Sequence, residues 1–309
     1  MTMKTLLTTL CLLTLTVVNA QNWIDLANVF WRVSPYNGIE GSTEKRHLNT
    51  YVADAKLPVV INDKNVFILG LEHQHNTITS TASSALYPNY TFSSSMMQLG
   101  WEHKWNDRSK MLFMAIPRFN SDYKDVSLRH FQLGGLALGT TKRNENFDWK
   151  YGLYYNGELF GPMFVPLFGF NWKMNDHWRF KLIVPLNFEL SYKPGDRFRA
   201  GIRFDGVNAS YAYQAIEGVP LSNGYIDKAD NNAWLFSEFH FGKNIWFHLK
   251  AGHSVLRKYR YFTEGDKMSM KLGPVNIGDD RNFNDPKTVP VLFKNGFSFE
   301  ARFIYRLPL

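Results

Sequence analysis

Few residues in this chain stand at spacings that catalysis or metal binding would use. His253-Ser254 sets a base beside a nucleophile, the combination acyl transfer needs. Adjacent strand residues point to opposite faces, so these two can cooperate only where a strand has ended, and they read as a loop pair. His73-Gln74-His75 puts two imidazoles on one face at i and i+2, a spacing that can hold a metal ion. No carboxylate is fixed nearby in sequence, and both histidines follow Phe67, Leu69 and Leu71, so they read as interfacial or loop residues. Cys11 is the only cysteine, and it lies in an N-terminal apolar run. Once that run is cleaved, disulfides, Cys-based zinc sites and a thiol nucleophile are all excluded. No catalytic residue, metal or cofactor is therefore expected.

What remains is charge. Arg179 and Lys181 stand two residues apart and Arg199 and Arg203 four apart, so the elements that carry them decide whether the two pairs act together. Lys4, the apolar stretch from Leu6 to Val18 and the small residues closing Val18-Asn19-Ala20 make 1–20 a secretory signal peptide. Residues 21–309 are expected to form one domain. Beyond residue 20 no apolar run approaches the roughly 18 residues a spanning helix needs. Aromatics at 16% and charged residues at 20% also exclude disorder.

Period-2 alternation runs from end to end. Phe297, Phe299, Ala301, Phe303, Tyr305 and Leu307 alternate with Ser298, Glu300, Arg302, Ile304, Arg306 and Pro308. Phe180, Leu182, Leu190 and their like alternate in the same way with Lys181, Ile183 and Ser191. The connections fall into two classes. Short polar turns such as Asn62-Asp63-Lys64-Asn65, Asn106-Asp107-Arg108-Ser109 and Pro194-Gly195-Asp196 alternate with mostly longer loops at 36–47, 77–91, 120–127, 214–231 and 263–296. Short turns at one end and long loops at the other mark an outer-membrane barrel. The fold class read here is all-β, a transmembrane antiparallel up-and-down β-barrel. It has fourteen strands if Pro185 splits 178–193 into two short strands, and thirteen if it does not. Single-chain bacterial barrels have even counts, so fourteen is adopted, with twelve as the alternative.

Gly152-Leu153-Tyr154-Tyr155-Asn156-Gly157, Pro166-Leu167-Phe168-Gly169-Phe170-Asn171-Trp172 and the terminal Phe303-Ile304-Tyr305-Arg306-Leu307-Pro308-Leu309 resemble an uncharacterised family of Gram-negative outer-membrane β-barrels. The resemblance implies location and architecture, and no reaction. It also implies recognition by the barrel-insertion machinery; because this chain ends in Leu309 rather than an aromatic, that recognition would rest on Phe303 and Tyr305.

Alternation cannot tell inside from outside, but side-chain chemistry can. Arg199, Arg203, Lys181, Glu189 and Lys250 would each cost several kcal/mol in a dry core unless paired, whereas a wet lumen holds them cheaply. The same face carries Arg179, Asp205, Glu300 and Arg302. Fifteen Lys and Arg against eight Asp and Glu are expected on it, a surplus that favours anions in any open pore. Trp101, Trp105, Trp172 and Trp178 stand beside short turns, where an aromatic girdle meets the headgroups. The expected function is porin-like passive passage of small, preferably anionic solutes by a monomer in the outer membrane. Its partners would be membrane lipid, lipopolysaccharide and the insertion machinery, without nucleic acid. A closed ladder of acid–base pairs plugging the lumen is the alternative to an open channel. A structural or adhesive barrel with binding loops and a lipid-modifying enzyme are the rival functions.

Overall fold

The computed structural model describes residues 23–39, 43–80, 89–214, 223–281, 290–291 and 293–308. The expected signal peptide and Leu309 lie outside these residues. The strands are β1 (Trp23–Gly38), β2 (Lys45–Asn62), β3 (Asn65–Ser80), β4 (Tyr90–Lys104), β5 (Ser109–Ser121), β6 (Phe131–Asn144), β7 (Phe147–Glu158), β8 (Gly161–Lys173), β9 (Trp178–Val184), β10 (Asn187–Gly195), β11 (Phe198–Tyr213), β12 (Gly224–Phe241), β13 (Ile245–Thr263), β14 (Met268–Leu272), β15 (Val275–Asp279), β16 (Pro290–Val291) and β17 (Phe297–Pro308). Strands β1 to β13 pair in sequence order. β17 pairs with both β13 and β1, which closes a fourteen-stranded antiparallel barrel. β14, β15 and β16 lie in the connection between β13 and β17.

The wall forms because each strand alternates large apolar and polar residues, and lipid accepts only the first kind. Outward aromatics meet across strands, where such pairs stabilise a sheet. Phe170 and Phe180 lie 5.0 Å apart, Phe180 and Phe188 5.2 Å, and Phe247 and Phe303 4.8 Å. Trp23 pairs with Pro308, so both ends of the barrel chain lie at the rim with the short turns.

Those turns share one design. Asn106, Asn144 and Asn175 each accept backbone N–H bonds from residues two or three positions ahead, as turn asparagines do. Lys104, Lys142 and Lys173 pair with Asp107, Glu145 and Asp176 three residues on, and Lys193 pairs in the same way with Asp196.

The opposite end is less regular. β9 and β10 are short and turn back at Pro185-Leu186, where the Leu186 N–H donates to the Ile183 carbonyl at 2.8 Å. β10 follows β11 only as far as Asp205, and β9 follows β8 only as far as Phe168. Above them β14 takes the place beside β8, pairing Lys271 with Met163 and Leu272 with Phe164 in parallel. The outer part of β11 leans across the barrel until Ala212 bridges Ser121 of β5. The segment from Gly224, expected as loop, is strand. It lies within this inward lean, where Tyr225, Ile226, Lys228 and Asp230 are buried. Two apolar clusters fill the outer half. One joins Leu48, Ile78, Phe92, Tyr211, Tyr259 and Tyr261; the other joins Phe160, Met163, Val165, Leu167, Tyr225, Phe262 and Met268.

Gly169 of β8 sits where two strands approach so closely that a Cβ would overlap the Leu182 carbonyl oxygen, whereas a Cβ at Gly195 meets nothing within 4 Å. The folded protein should migrate faster than boiled protein on gels and give a β-rich circular dichroism spectrum in detergent. Gly169→Ala should lower the temperature at which the fast band disappears, and Gly195→Ala should leave it unchanged. Equal effects of the two substitutions would contradict the close approach.

Candidate functional site

Alternation turns the charged residues of β1, β9 to β13 and β17 into the barrel, and register then decides what each one meets. Glu189 of β10 lies opposite Lys181 on one side and Arg203 on the other. Glu238 of β12 lies between Arg199 and His248, and Glu300 of β17 between Lys250 and Arg32. Three glutamates on different strands are thus each flanked by a basic residue on both neighbours, the cross-strand arrangement that favours opposite charges.

The side chains join into one ladder. Arg199 Nη1 donates to Glu189 at 3.0 Å, and its Nε donates to Glu238 at 2.9 Å. Arg203 reaches Glu189 at 3.5 Å and Asp205 at 3.8 Å. Lys250 lies 2.9 Å from Glu300 and 3.6 Å from Asp205. Glu300 also accepts from Arg32 at 2.7 Å and from Arg302 at 2.8 Å. Arg306 bridges Glu238, at 3.3 Å, and Asp25. Glu189, Arg199, Glu238, Lys250, Glu300 and Arg306 are all buried. Charges so enclosed are tolerable only because each has a partner.

Three inward lysines differ; one of them, Lys228 of β12, donates to the Asn76 side-chain carbonyl at 3.1 Å and has no carboxylate within 4 Å among the described residues. Lys181, opposite Glu189, forms no ion pair within 4 Å among the described residues. Lys150 of β7 donates to the Thr140 hydroxyl at 2.7 Å and likewise has no carboxylate within that range. Of the four basic residues singled out in sequence, Arg199 and Arg203 are therefore locked into the ladder, Lys181 stands beside it, and Arg179 lies on β9 between Lys173 and Ser191.

A second polar group closes the outer half. Arg257 donates to Asp230 at 3.1 Å, to Ser298 at 2.9 Å and to Ser34 at 3.1 Å, and it also reaches Asn37 and Asn232. Ser210, on the leaning part of β11, donates from its N–H and its hydroxyl to Glu158 at 2.7 and 2.6 Å. The Ser210 carbonyl accepts from Asn120 at 3.1 Å and from Gln132 at 3.0 Å. Four strands on opposite sides of the barrel, β5, β6, β7 and β11, meet at this one serine.

Alternation alone missed Arg257. Val255 is an extra residue in β13, because Asn231 pairs with Leu256 while Asn232 pairs with Ser254. This bulge reverses the phase of every later side chain. Asp25, Glu158, Lys228 and Asp230 were also not foreseen as inward residues, since each lies near a strand end or in the segment expected as loop.

The remaining candidates stay apart. His253 and Ser254 lie within β13 rather than in a loop, with His253 exposed and Ser254 buried, so the strand separates them. His73 and His75 face outward in β3, each with Nδ1 beside a serine hydroxyl, Ser95 at 2.9 Å and Ser93 at 2.8 Å. No group of three or more metal-binding side chains occurs among the described residues. Trp101, Trp105, Trp172 and Trp178 are exposed beside the short turns. In those turns a hydrogen bond from the paired lysine holds the carboxyls of Asp107, Asp176 and Asp196 below the usual range. The rim pairs thus persist at neutral pH and break only as the pH falls through those lowered values.

Arg199→Ala would leave Glu189 and Glu238 facing each other with fewer cations. Loss of one partner from a buried pair costs about 3 kcal/mol or more. Urea unfolding in detergent should show a loss of this size, and a change under about 0.5 kcal/mol, the ordinary range of a surface substitution, would mean that the ladder does not stabilise the barrel.

Among solved structures, the chain is similar to the COG4313 outer membrane channel from Pseudomonas putida F1. The TM-score is 0.50 at 6% identity, over 94% of this chain and 100% of that one. It is also similar to the translocator domain of the autotransporter NalP from Neisseria meningitidis, with a TM-score of 0.40 at 11% identity over 98% and 94% of the two chains. A mutant TodX monoaromatic hydrocarbon channel gives 0.41 at 10% identity over 92% and 89%. No curated protein matches the sequence. The first likeness shows the fold of an outer-membrane β-barrel. Residues 39–270 match a family defined by sequence alone, so the chain belongs to the family described as Domain of unknown function, DUF6268.

Proposed function

We propose that this protein is a channel of the bacterial outer membrane, acting as a monomer, whose lumen favours small anions and whose outer end is held closed by its own strands. The observation that carries the reading is Lys150 and Lys181. They face inward with no carboxylate within ion-pair range, beside a ladder in which every cation has a carboxylate partner. Uncompensated cations on a pore wall raise the local concentration of anions, an effect screened over roughly 8 Å at physiological salt. The fold shared with an outer membrane channel is compatible with conduction. The polar closing contacts converge on Ser210, which gathers the amides of Asn120 and Gln132 and the carboxylate of Glu158. Loss of those contacts would let β11 return toward the wall.

A second reading follows from the same closure. With opposite walls tied at Ser210 and Arg257, the barrel can serve as a rigid scaffold for its long outer loops. Planar-bilayer recording separates the two readings. Steps of conductance support the channel, and silence under all conditions supports the scaffold. In conducting protein, Lys150→Glu with Lys181→Glu should move the reversal potential toward cation preference. An unchanged potential would remove the anion claim. Asn120→Ala with Gln132→Ala should raise the fraction of time spent open, and an unchanged fraction would show that Ser210 does not hold the closed state.

A further inference from the structure

We propose that the outward wall of β3 and β4 carries a catalytic site, in which Ser95 and His73 hydrolyse the ester of a long-chain acyl lipid taken from the outer leaflet. The site lies on the lipid side of the wall, the face opposite the lumen, so it stands or falls independently of the channel reading.

Strand register builds the pair. His73 of β3 lies opposite Ser95 of β4 on the outward face. The His73 Nδ1 is 2.9 Å from the Ser95 hydroxyl oxygen. Tyr123, just beyond the end of β5, folds back over β4 and donates from its phenol to the same oxygen at 2.7 Å. It reaches that place through a backbone turn at φ 60°, a left-handed conformation that is costly for a bulky residue and recurs at functional sites. With Ser95 accepting from Tyr123, its own proton is directed at His73, which accepts it as the Nε2–H tautomer. A serine that donates to a neutral imidazole is a nucleophile joined to its base. The neighbouring pair lacks these features. His75 Nδ1 lies 2.8 Å from the Ser93 hydroxyl, but Ser93 is buried and no phenol donates to it among the described residues.

Depth and surroundings give the substrate. Trp101 donates to the Asn65 side-chain carbonyl at 3.0 Å at the start of β3, which marks the girdle beside the short turns. His73 stands eight residues further along β3, about 26 Å of strand and about 20 Å of height at the usual tilt, in an apolar band about 25 Å tall. The pair therefore lies in the outer leaflet, close to headgroups and water. Below it the outward wall is apolar, with Leu71 and Met97 one step down and Leu69 and Leu99 the next. Leu69 and Leu99 line an outward groove of about 750 Å³ that continues over Ala115 and Ala137. An acyl chain lying along this surface brings its ester to Ser95. The Ser95 oxygen bonds to the ester carbonyl carbon, and its proton passes to His73 Nδ1. The bond from that carbon to the alcohol oxygen then breaks, and the alcohol leaves with the proton. Water adds to the acyl-serine and gives a proton to His73; the fatty acid departs and Ser95 takes the proton back. Tyr123 is the donor placed to stabilise the oxyanion that forms in both halves.

The probe is a long-chain alkyl fluorophosphonate, which bonds covalently to activated serine hydroxyls. It is added to the folded barrel in vesicles of ether-linked phospholipid, which offer no competing ester, and the adduct is located by mass spectrometry. The wild-type protein should be modified at Ser95, and Ser95→Ala should take up no probe. His73→Gln should slow modification at least a hundredfold, the lower limit for a positioned general base. Tyr123→Phe should slow it about tenfold, the value of one hydrogen bond, and Ser93→Ala should react as the wild type does. The fast-migrating gel band shows that each variant is folded. Fatty acid released from phospholipid or from lipopolysaccharide bearing labelled acyl chains, and lost in Ser95→Ala, supports the hydrolysis and identifies the source of the ester. Absence of an adduct at Ser95, an adduct that forms at the wild-type rate in His73→Gln, or no release from either lipid overturns the site.

Discussion

Charges taken out of water must find opposite charges, and in a barrel wall the partners available are those that strand register supplies. The ladder around Glu189, Glu238 and Glu300 meets that demand by placing bases on both neighbouring strands. Shifting any of these strands by one residue would turn its ions toward lipid and its aromatics into the lumen. The ladder therefore fixes register as well as stability. It ties β1 and β17, the two ends of the chain, into the same network through Arg32, Arg306 and Asp25, so closure of the barrel and pairing of the ions are one event.

Much of this architecture is legible in the sequence because membrane and lumen impose opposite chemistry on alternate residues. Phe299 against Glu300, or Leu249 against Lys250, reads directly as outside and inside. Pro185 marks the break between β9 and β10, and the Asn-rich turns mark one rim. The pairing of Arg199 with Glu238 is not legible, since 39 residues separate them and only register brings them together. Nor is the inward turn of Arg257, which depends on one extra residue at Val255. The β14–β15 hairpin is too short to stand out from the loop that contains it, and its strand character comes from the edge of β8.

The two halves of the interior solve different problems. The half near the short turns holds ions in fixed pairs across neighbouring strands. The outer half excludes water by bringing walls together, with Tyr211 and Phe92 in contact at 4.6 Å between ring centres and Ser210 bonded to three facing strands. One end is held by ion pairs along the wall, and the other by apolar packing and hydrogen bonds across the lumen.

The Lys-x-Asn-acid turns at the other rim have a consequence for how such a barrel can change over evolutionary time. After β4, β6 and β8 the turn satisfies its own backbone donors and balances its own charge within about one turn's length of chain, so it asks nothing of its neighbours. A hairpin bounded in this way is a self-sufficient module. Duplicating or deleting one alters the circumference by two strands, keeps both chain ends on the same side of the membrane, and leaves the remaining turns intact.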